Sequence, residues 1–97
     1  MKPIDFEWDE RKARGNEQKH GVSFEEALTA FFDANARLIH DPDHSDEEDR
    51  YVLPGLSQRL RVLAVCHCYR EEAGLIRIIS ARKADGLERR QYWELLS

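Results

Sequence analysis

The ten-residue run Leu60-Arg61-Val62-Leu63-Ala64-Val65-Cys66-His67-Cys68-Tyr69 constrains this chain more than any other stretch. Leu60, Val62, Ala64, Cys66 and Cys68 fall on one side of an extended strand, while Leu63 and Val65 fall on the other. A strand that is apolar on both sides has to be covered on both sides, so the run predicts a central strand of a sheet. The flanking segments supply neighbours. Arg37 to His40 and Arg50 to Leu53 read as short strands, the second stopped by Pro54-Gly55, and Leu75 to Ser80 follows the turn Glu71-Glu72-Ala73-Gly74. Ile4-Asp5-Phe6-Glu7-Trp8 alternates apolar and acidic residues and reads as a further strand with one buried side.

Between these strands the period changes to that of helices. Asp9 offers an N-cap carboxylate for a polar helix over Glu10 to Lys19, and Gly21 is a natural residue to follow its last turn. Gly15 and Asn16 are its weak helix formers. Ser23 with Glu26 spells a capping box, and Val22 with Ala27 a hydrophobic staple. The helix they open carries Phe24, Ala27, Leu28, Phe31 and Phe32 at helical spacing and ends near Asp33-Ala34-Asn35. Asp85 and Glu88 cap a last helix that runs to about Leu96. The expectation is an α+β domain: an antiparallel sheet of about 4–5 strands, two N-terminal helices and one C-terminal helix.

With 97 residues there is room for one domain, residues 1–97, and one core. No window reaches the roughly 18 apolar residues of a membrane span, and no apolar leader follows Met1-Lys2-Pro3, so a cytoplasmic protein without membrane contact is expected. The net charge of -4 excludes a general nucleic-acid coat. Its distribution is uneven. Residues 1–49 carry 6 basic against 14 acidic residues, whereas residues 50–97 carry 9 basic against 5 acidic. Eight of those nine are arginine, the side chain suited to bidentate phosphate contact, so a local phosphate-binding surface fits the second half.

Three stretches together resemble one family: Phe6-Glu7-Trp8-Asp9 with Asn16-x-x-Lys19-His20-Gly21-Val22-Ser23-Phe24-Glu25-Glu26-Ala27; Asp41-Pro42-Asp43-His44-Ser45 with Arg50; and Ile76-Arg77-Ile78-Ile79-Ser80-Ala81-Arg82-Lys83-Ala84 with Glu88-Arg89-x-x-Tyr92. In order and spacing they resemble the BrnT-type toxins of bacterial type II toxin–antitoxin pairs, over residues from about 4 to 93. Asp85-Gly86 stands where that family more often has a basic helix start. The resemblance implies a RelE-like fold, ribonuclease activity that arrests translation, and neutralisation by a BrnA-type antitoxin protein. It also implies that operator DNA is met only through the antitoxin complex.

Metal-independent RNA cleavage requires a base near the ribose 2′-hydroxyl, positive charge for the phosphorane, and a proton for the departing 5′-oxygen. On residue types alone, Arg77 reads as one half of a structural ion pair with an acid such as Glu88. The resemblance instead makes Arg77 and Arg82 phosphate-stabilising catalytic residues. Lys19 and His20 are the candidate acid/base pair; the competing account is that they complete the C-terminal end of the first helix, where cations are favoured. Arg50, Lys83, Arg89 and Tyr92 are the candidate RNA-binding residues, with packing the alternative for Tyr92 and capping the alternative for Glu88 as a base. No cofactor is called for. His40 and His44 lack the glutamate and the continuous helix of a zinc site, so they read as part of a solvated loop that includes the acidic run Asp46-Glu47-Glu48-Asp49. Cys66 and Cys68 read as buried free thiols. A rival to the nuclease reading is a non-catalytic toxin module that only holds the antitoxin and tunes promoter binding. A metal-dependent hydrolase built on His40 and His44 is a third possibility.

Overall fold

A computed structural model describes residues 4–70 and 74–96. The chain forms β1 (Asp5–Glu7), α1 (Glu10–His20), α2 (Phe24–Ala30), β2 (Ile39–Asp41), a 3-10 turn (Pro42–His44), β3 (Arg50–Leu56), β4 (Val62–Tyr69), β5 (Leu75–Lys83) and α3 (Gly86–Glu94). The five strands lie in one sheet in the order β1-β5-β4-β3-β2. The strand expected to be central, β4, has neighbours on both sides and is buried from Val62 to Val65. The turn expected at Glu71-Glu72-Ala73 lies outside the described residues.

Two expectations about the strands need correction. The sheet is mixed rather than antiparallel, because β1 pairs with β5 in parallel, Phe6 opposite Ile76 and Glu7 opposite Arg77. The neighbouring strands β2 to β5 pair antiparallel, whereas β1 meets its partner across about 70 residues of sequence separation; the direction of such a pair is set by tertiary packing alone. Nor does Pro54-Gly55 stop β3, which continues to Leu56. β2 reaches only as far as Val52, so at Pro54 one side of β3 has no strand to bond and the missing N–H costs no ladder hydrogen bond. Gly55 is there for closeness: a Cβ on it would stand 2.9 Å from the carbonyl oxygen of Ala30 and 3.2 Å from Ala36 Cβ.

The hairpin joining β3 and β4 also differs from the expectation that Leu60 begins the strand. Ser57 and Arg61 close the turn, with the Leu60 N–H donating to Ser57 O at 2.9 Å, and Leu60 sits in the left-handed region at φ 62 with its side chain in solvent. A type I turn followed by one left-handed residue is a standard three-residue hairpin, although glycine is its usual occupant.

α1 and α2 cover one face of the sheet. Their caps form as sequence chemistry dictates: Asp9 accepts from the amides of Arg11 and Lys12, and Gly21 at φ 69 follows the last turn of α1. Ser23 accepts from the Glu26 amide at 3.0 Å, but the reciprocal half of the capping box is absent. The buried Glu26 carboxylate turns away to take Ser57 Oγ at 2.7 Å and both nitrogens of an Arg61 fork. Burial pushes the Glu26 carboxyl up, and the Arg61 and Ser57 hydrogen bonds more than offset this, leaving it below the usual glutamate range. Under the helices Val22, Phe24, Ala27, Ala30, Leu53, Leu63, Val65, Ile78 and Ala81 form the main core. Fully burying a ring such as Phe24 contributes about 2–3 kcal/mol.

Asn16, weak as a helix former, has a structural task instead. β1 pairs only with Leu75 to Arg77, which leaves the far half of β5 without a neighbour on that side. Asn16 supplies one. Its amide nitrogen donates to Ala81 O at 2.8 Å and to Val22 O at 2.9 Å, while its oxygen accepts from the Ala81 amide at 3.0 Å. A single side chain thus pairs with β5 as a strand would, and ties α1 to the sheet.

Candidate functional site

The second face of the sheet is covered at one end by α3, where Tyr92 packs with Val62, Ala84 and Leu56. The Asp85–Glu88 capping box that starts α3 is complete, with both bonds at 2.8 Å. Tyr92 also donates its hydroxyl to Asp33 Oδ2, which accepts from the Leu56 amide as well. Burial and the bond to Asp33 push the Tyr92 phenol up to about 12. These contacts fix α3 as one wall over an otherwise open sheet.

Which arginines reach that open face depends on one residue. Arg77 and Arg82 are five apart, and in a regular strand an odd separation puts two side chains on opposite faces. The pairing of β4 with β5 shifts between Cys66 and His67: His67 lies opposite Ile78, but Cys66 lies opposite Ser80, so Ile79 is an extra residue. The bulge restores a common side. Arg77 opposite Cys68, Ser80 opposite Cys66, and Arg82 opposite Ala64 all share the open face, and so does Arg50, opposite Cys68 on β3.

A groove crosses this face. One part, about 320 Å³, lies between α3 and the β2–β3 side and is lined by Arg37, Ile39, His40, Val52, Pro54, Gln91 and Tyr92, among others. The other part, about 280 Å³, is lined by His44, Arg50, Ala64, Cys66, Ile79 and Ser80. Asp41, Val52 and Arg82 border both.

Arg82 is held in a fork by Glu88, with nitrogen–oxygen distances of 2.6 and 3.0 Å. The Arg82 hydrogen bonds keep the Glu88 carboxyl below 4.5, so it is ionised at neutral pH. Arg77 does not pair with Glu88, the partner anticipated from sequence, but lies 3.5 Å from Glu7 Oε1, which Arg70 also approaches at 3.3 Å. At the rim, Asp41 precedes the 3-10 turn that Pro42 opens, and this brings His44 Nδ1 to 2.8 Å from Asp41 Oδ2. His40 contacts Asp49 at 3.2 Å, so the two histidines engage different carboxylates. Among the described residues no group of three or more potential ligands converges as a metal site. Cys66 and Cys68 are free thiols, and burial pushes both up from 9.0, which leaves them protonated and poorly nucleophilic.

The groove therefore gathers Arg82 and Arg50, with Arg77 further along the same face. It does not gather the rest of the residues singled out from sequence. Lys19 and His20 lie in the last turn of α1, on the helix-covered side of the sheet. Lys83, opposite the core residue Leu63, has the parity of that side too. Arg89 folds back over the start of α3 and donates to Ala84 O at 2.8 Å. Tyr92 is 3% exposed, so its ring face is committed to packing rather than to a base. Conversely, Asp41, His44, Ser80 and Gln91 line the groove, although from sequence His44 is a candidate only as a metal ligand and the other three are not candidates. The signal for the first two was present: aspartate before proline caps a turn and sets the fourth residue, His44, back against it.

The fold and the groove define a small α+β domain whose mixed sheet presents arginines on its uncovered face. The same architecture occurs in the 1.1 Å crystal structure of the Brucella abortus ribonuclease toxin BrnT, which is 24% identical, with a TM-score of 0.64 over 84% of this chain and 97% of that one. The family model for the ribonuclease toxin BrnT of type II toxin–antitoxin systems matches residues 8–88. The chain belongs to that family: it is a BrnT-type ribonuclease toxin, and such a toxin has an antitoxin partner. No curated protein sequence matches it. Among the described residues, no helix is long and apolar enough to cross a membrane.

Proposed function

We propose that this chain is a metal-independent endoribonuclease that cleaves RNA in the open-face groove and thereby arrests translation in the cytoplasm. Its partner in this reading is a BrnA-type antitoxin, through which the complex meets operator DNA. The observation that carries the reading is the bulge-aligned set of Arg50, Arg77 and Arg82 on one uncovered sheet face, beside the Asp41–His44 pair.

The 2′-oxygen attacks phosphorus, a bond forms to give a cyclic phosphate, and the bond to the 5′-oxygen breaks. Arg82 and Arg50 stabilise the added charge on the phosphorane; Arg77 holds a neighbouring phosphate. For the proton of the 2′-hydroxyl we favour His44 over Lys19 or His20. Asp41 occupies its Nδ1 and leaves Nε2 free as a base, whereas the sheet stands between the last turn of α1 and the arginines. The 5′-oxygen takes its proton from water in the groove.

The test uses purified antitoxin-free protein, single-stranded RNA and EDTA. Cleavage leaving 5′-hydroxyl ends is expected, and should fall by at least about a hundredfold in the Arg77→Ala/Arg82→Ala variant with its circular dichroism unchanged. Undiminished cleavage by that variant, or activity abolished by EDTA, refutes the reading. A second reading, a non-catalytic module that binds the antitoxin and modulates promoter repression, is favoured by one observation: Glu88 and Glu7 already engage Arg82 and Arg77. It requires tight antitoxin binding without cleavage by the wild-type chain.

A further inference from the structure

The part of the groove beneath α3 differs in chemistry from the part that holds Arg50. Its walls are Ile39, Val52, Pro54 and Tyr92, and its polar rim includes Arg37 and Gln91. A phosphate has no place inside it. The apolar walls would strip its hydration, and the carboxylates of Asp41 and Glu88 border the same space. At about 320 Å³ it lies at the small end of ligand sites, with room for one ring system and not for a folded segment. It is also preformed: the Tyr92 hydroxyl is bonded to Asp33, and Pro54 is fixed in β3 with Arg37 N donating to its carbonyl at 3.1 Å. Its mouth is Arg82, which it shares with the polar half of the groove.

A preformed apolar slot with a hydrogen-bonding rim, opening onto an arginine that can hold a phosphate, matches an unstacked nucleobase attached to that phosphate. We propose that the cavity under α3 is a base-selecting subsite, in which one splayed-out RNA base lies between Ile39, Val52 and Pro54 and has its edge read by Gln91 and Arg37. This rests on the nuclease reading for its place in the reaction, but not for the binding itself. Gln91 offers a donor and an acceptor on one amide and Arg37 only donors, so the rim distinguishes bases by their edges while the walls accept any ring.

Two measurements separate the subsite from the nuclease activity. In the first, nucleoside 5′-monophosphates are titrated into isotopically labelled protein and followed by NMR. The Ile39 and Val52 methyl groups and the Gln91 side-chain amide are expected to shift, for one base more than the other three. Shifts confined to the arginines overturn the subsite whether or not the chain cleaves RNA. In the second, a randomised single-stranded RNA is cleaved and the 5′-hydroxyl ends are sequenced. One base should be enriched at a fixed position relative to the cut, and Gln91→Ala should reduce that enrichment about tenfold. Ile39→Trp, which fills the slot from an exposed strand edge, should remove the enrichment and the methyl shifts together. Cleavage without base enrichment, or enrichment unchanged in both variants, overturns the proposal. If the wild-type chain shifts on titration yet cuts nothing, the nuclease reading fails and the subsite stands.

Discussion

Replacing Asn16 with alanine tests how the arginine face is held in place. In the wild type the Asn16 amide satisfies two carbonyls, Val22 O and Ala81 O, and one N–H, that of Ala81, all at 2.8–3.0 Å in a buried position. Alanine removes all three bonds and leaves three backbone groups to find water or go unpaired. Each buried group left without a partner costs roughly 1–3 kcal/mol, and at the low end of that range the three together cost about 3–4 kcal/mol. Alanine is the better helix former by roughly 0.6 kcal/mol, which offsets a little of this. The net expectation is a loss of about 3 kcal/mol, and at 4–8 °C per kcal/mol for a domain of this size a melting temperature lower by about 12–24 °C. Urea titration followed by tryptophan fluorescence measures it, since Trp8 packs edge-on against the buried Phe24. Ala81 precedes Arg82, so amide exchange along β5 should accelerate in the variant. A loss below about 1 kcal/mol would refute the view that this side chain substitutes for a missing strand.

Three further outcomes follow from the same structure. His67 is fully buried and desolvation holds it below 6.5, so its neutral form stabilises the fold fully above pH 6.5; stability should fall as pH drops below that value toward its folded pKa, and His67→Gln should flatten this slope in denaturation between pH 7 and 5. Gly55→Ala would drive a Cβ into the backbone of Ala30 and should destabilise by about 1–3 kcal/mol in the same assay, an unchanged midpoint counting against the close approach. Arg82→Lys keeps the charge but loses the fork on Glu88, and kcat/KM for RNA cleavage should fall by about tenfold or more; full activity would show that only net charge matters there.

Much of the architecture was legible because its signals are local. The caps at Asp9, Ser23 and Asp85, the glycine after α1, and the apolar run of β4 all appear where neighbouring residues demand them. Less of the site could be read. Lys19 and His20 sit within the best-matched motif, yet proximity in sequence to Asn16 reflects the seating of α1 on β5, not a shared groove with Arg82. Tyr92 reads from sequence as either an RNA-binding or a packing residue, and it is buried by residues distant in the chain, Leu56 and Val62 under its ring and Asp33 at its hydroxyl. Asp41 and His44 read from sequence as loop residues, because their place in the groove depends on what β2 and β3 bring beside them.

The sequence by itself determined which segments are helix and strand and where the positive charge concentrates, since periodicity, capping and composition act over a few residues. The tertiary structure alone decided the parallel seat of β1, the completion of β5 by a side chain, and the company each arginine keeps. Those features rest on contacts between residues tens of positions apart, and on a single bulged isoleucine that turns an odd spacing into a shared face. No pattern within one strand encodes such a bulge, because it exists only relative to the strand alongside.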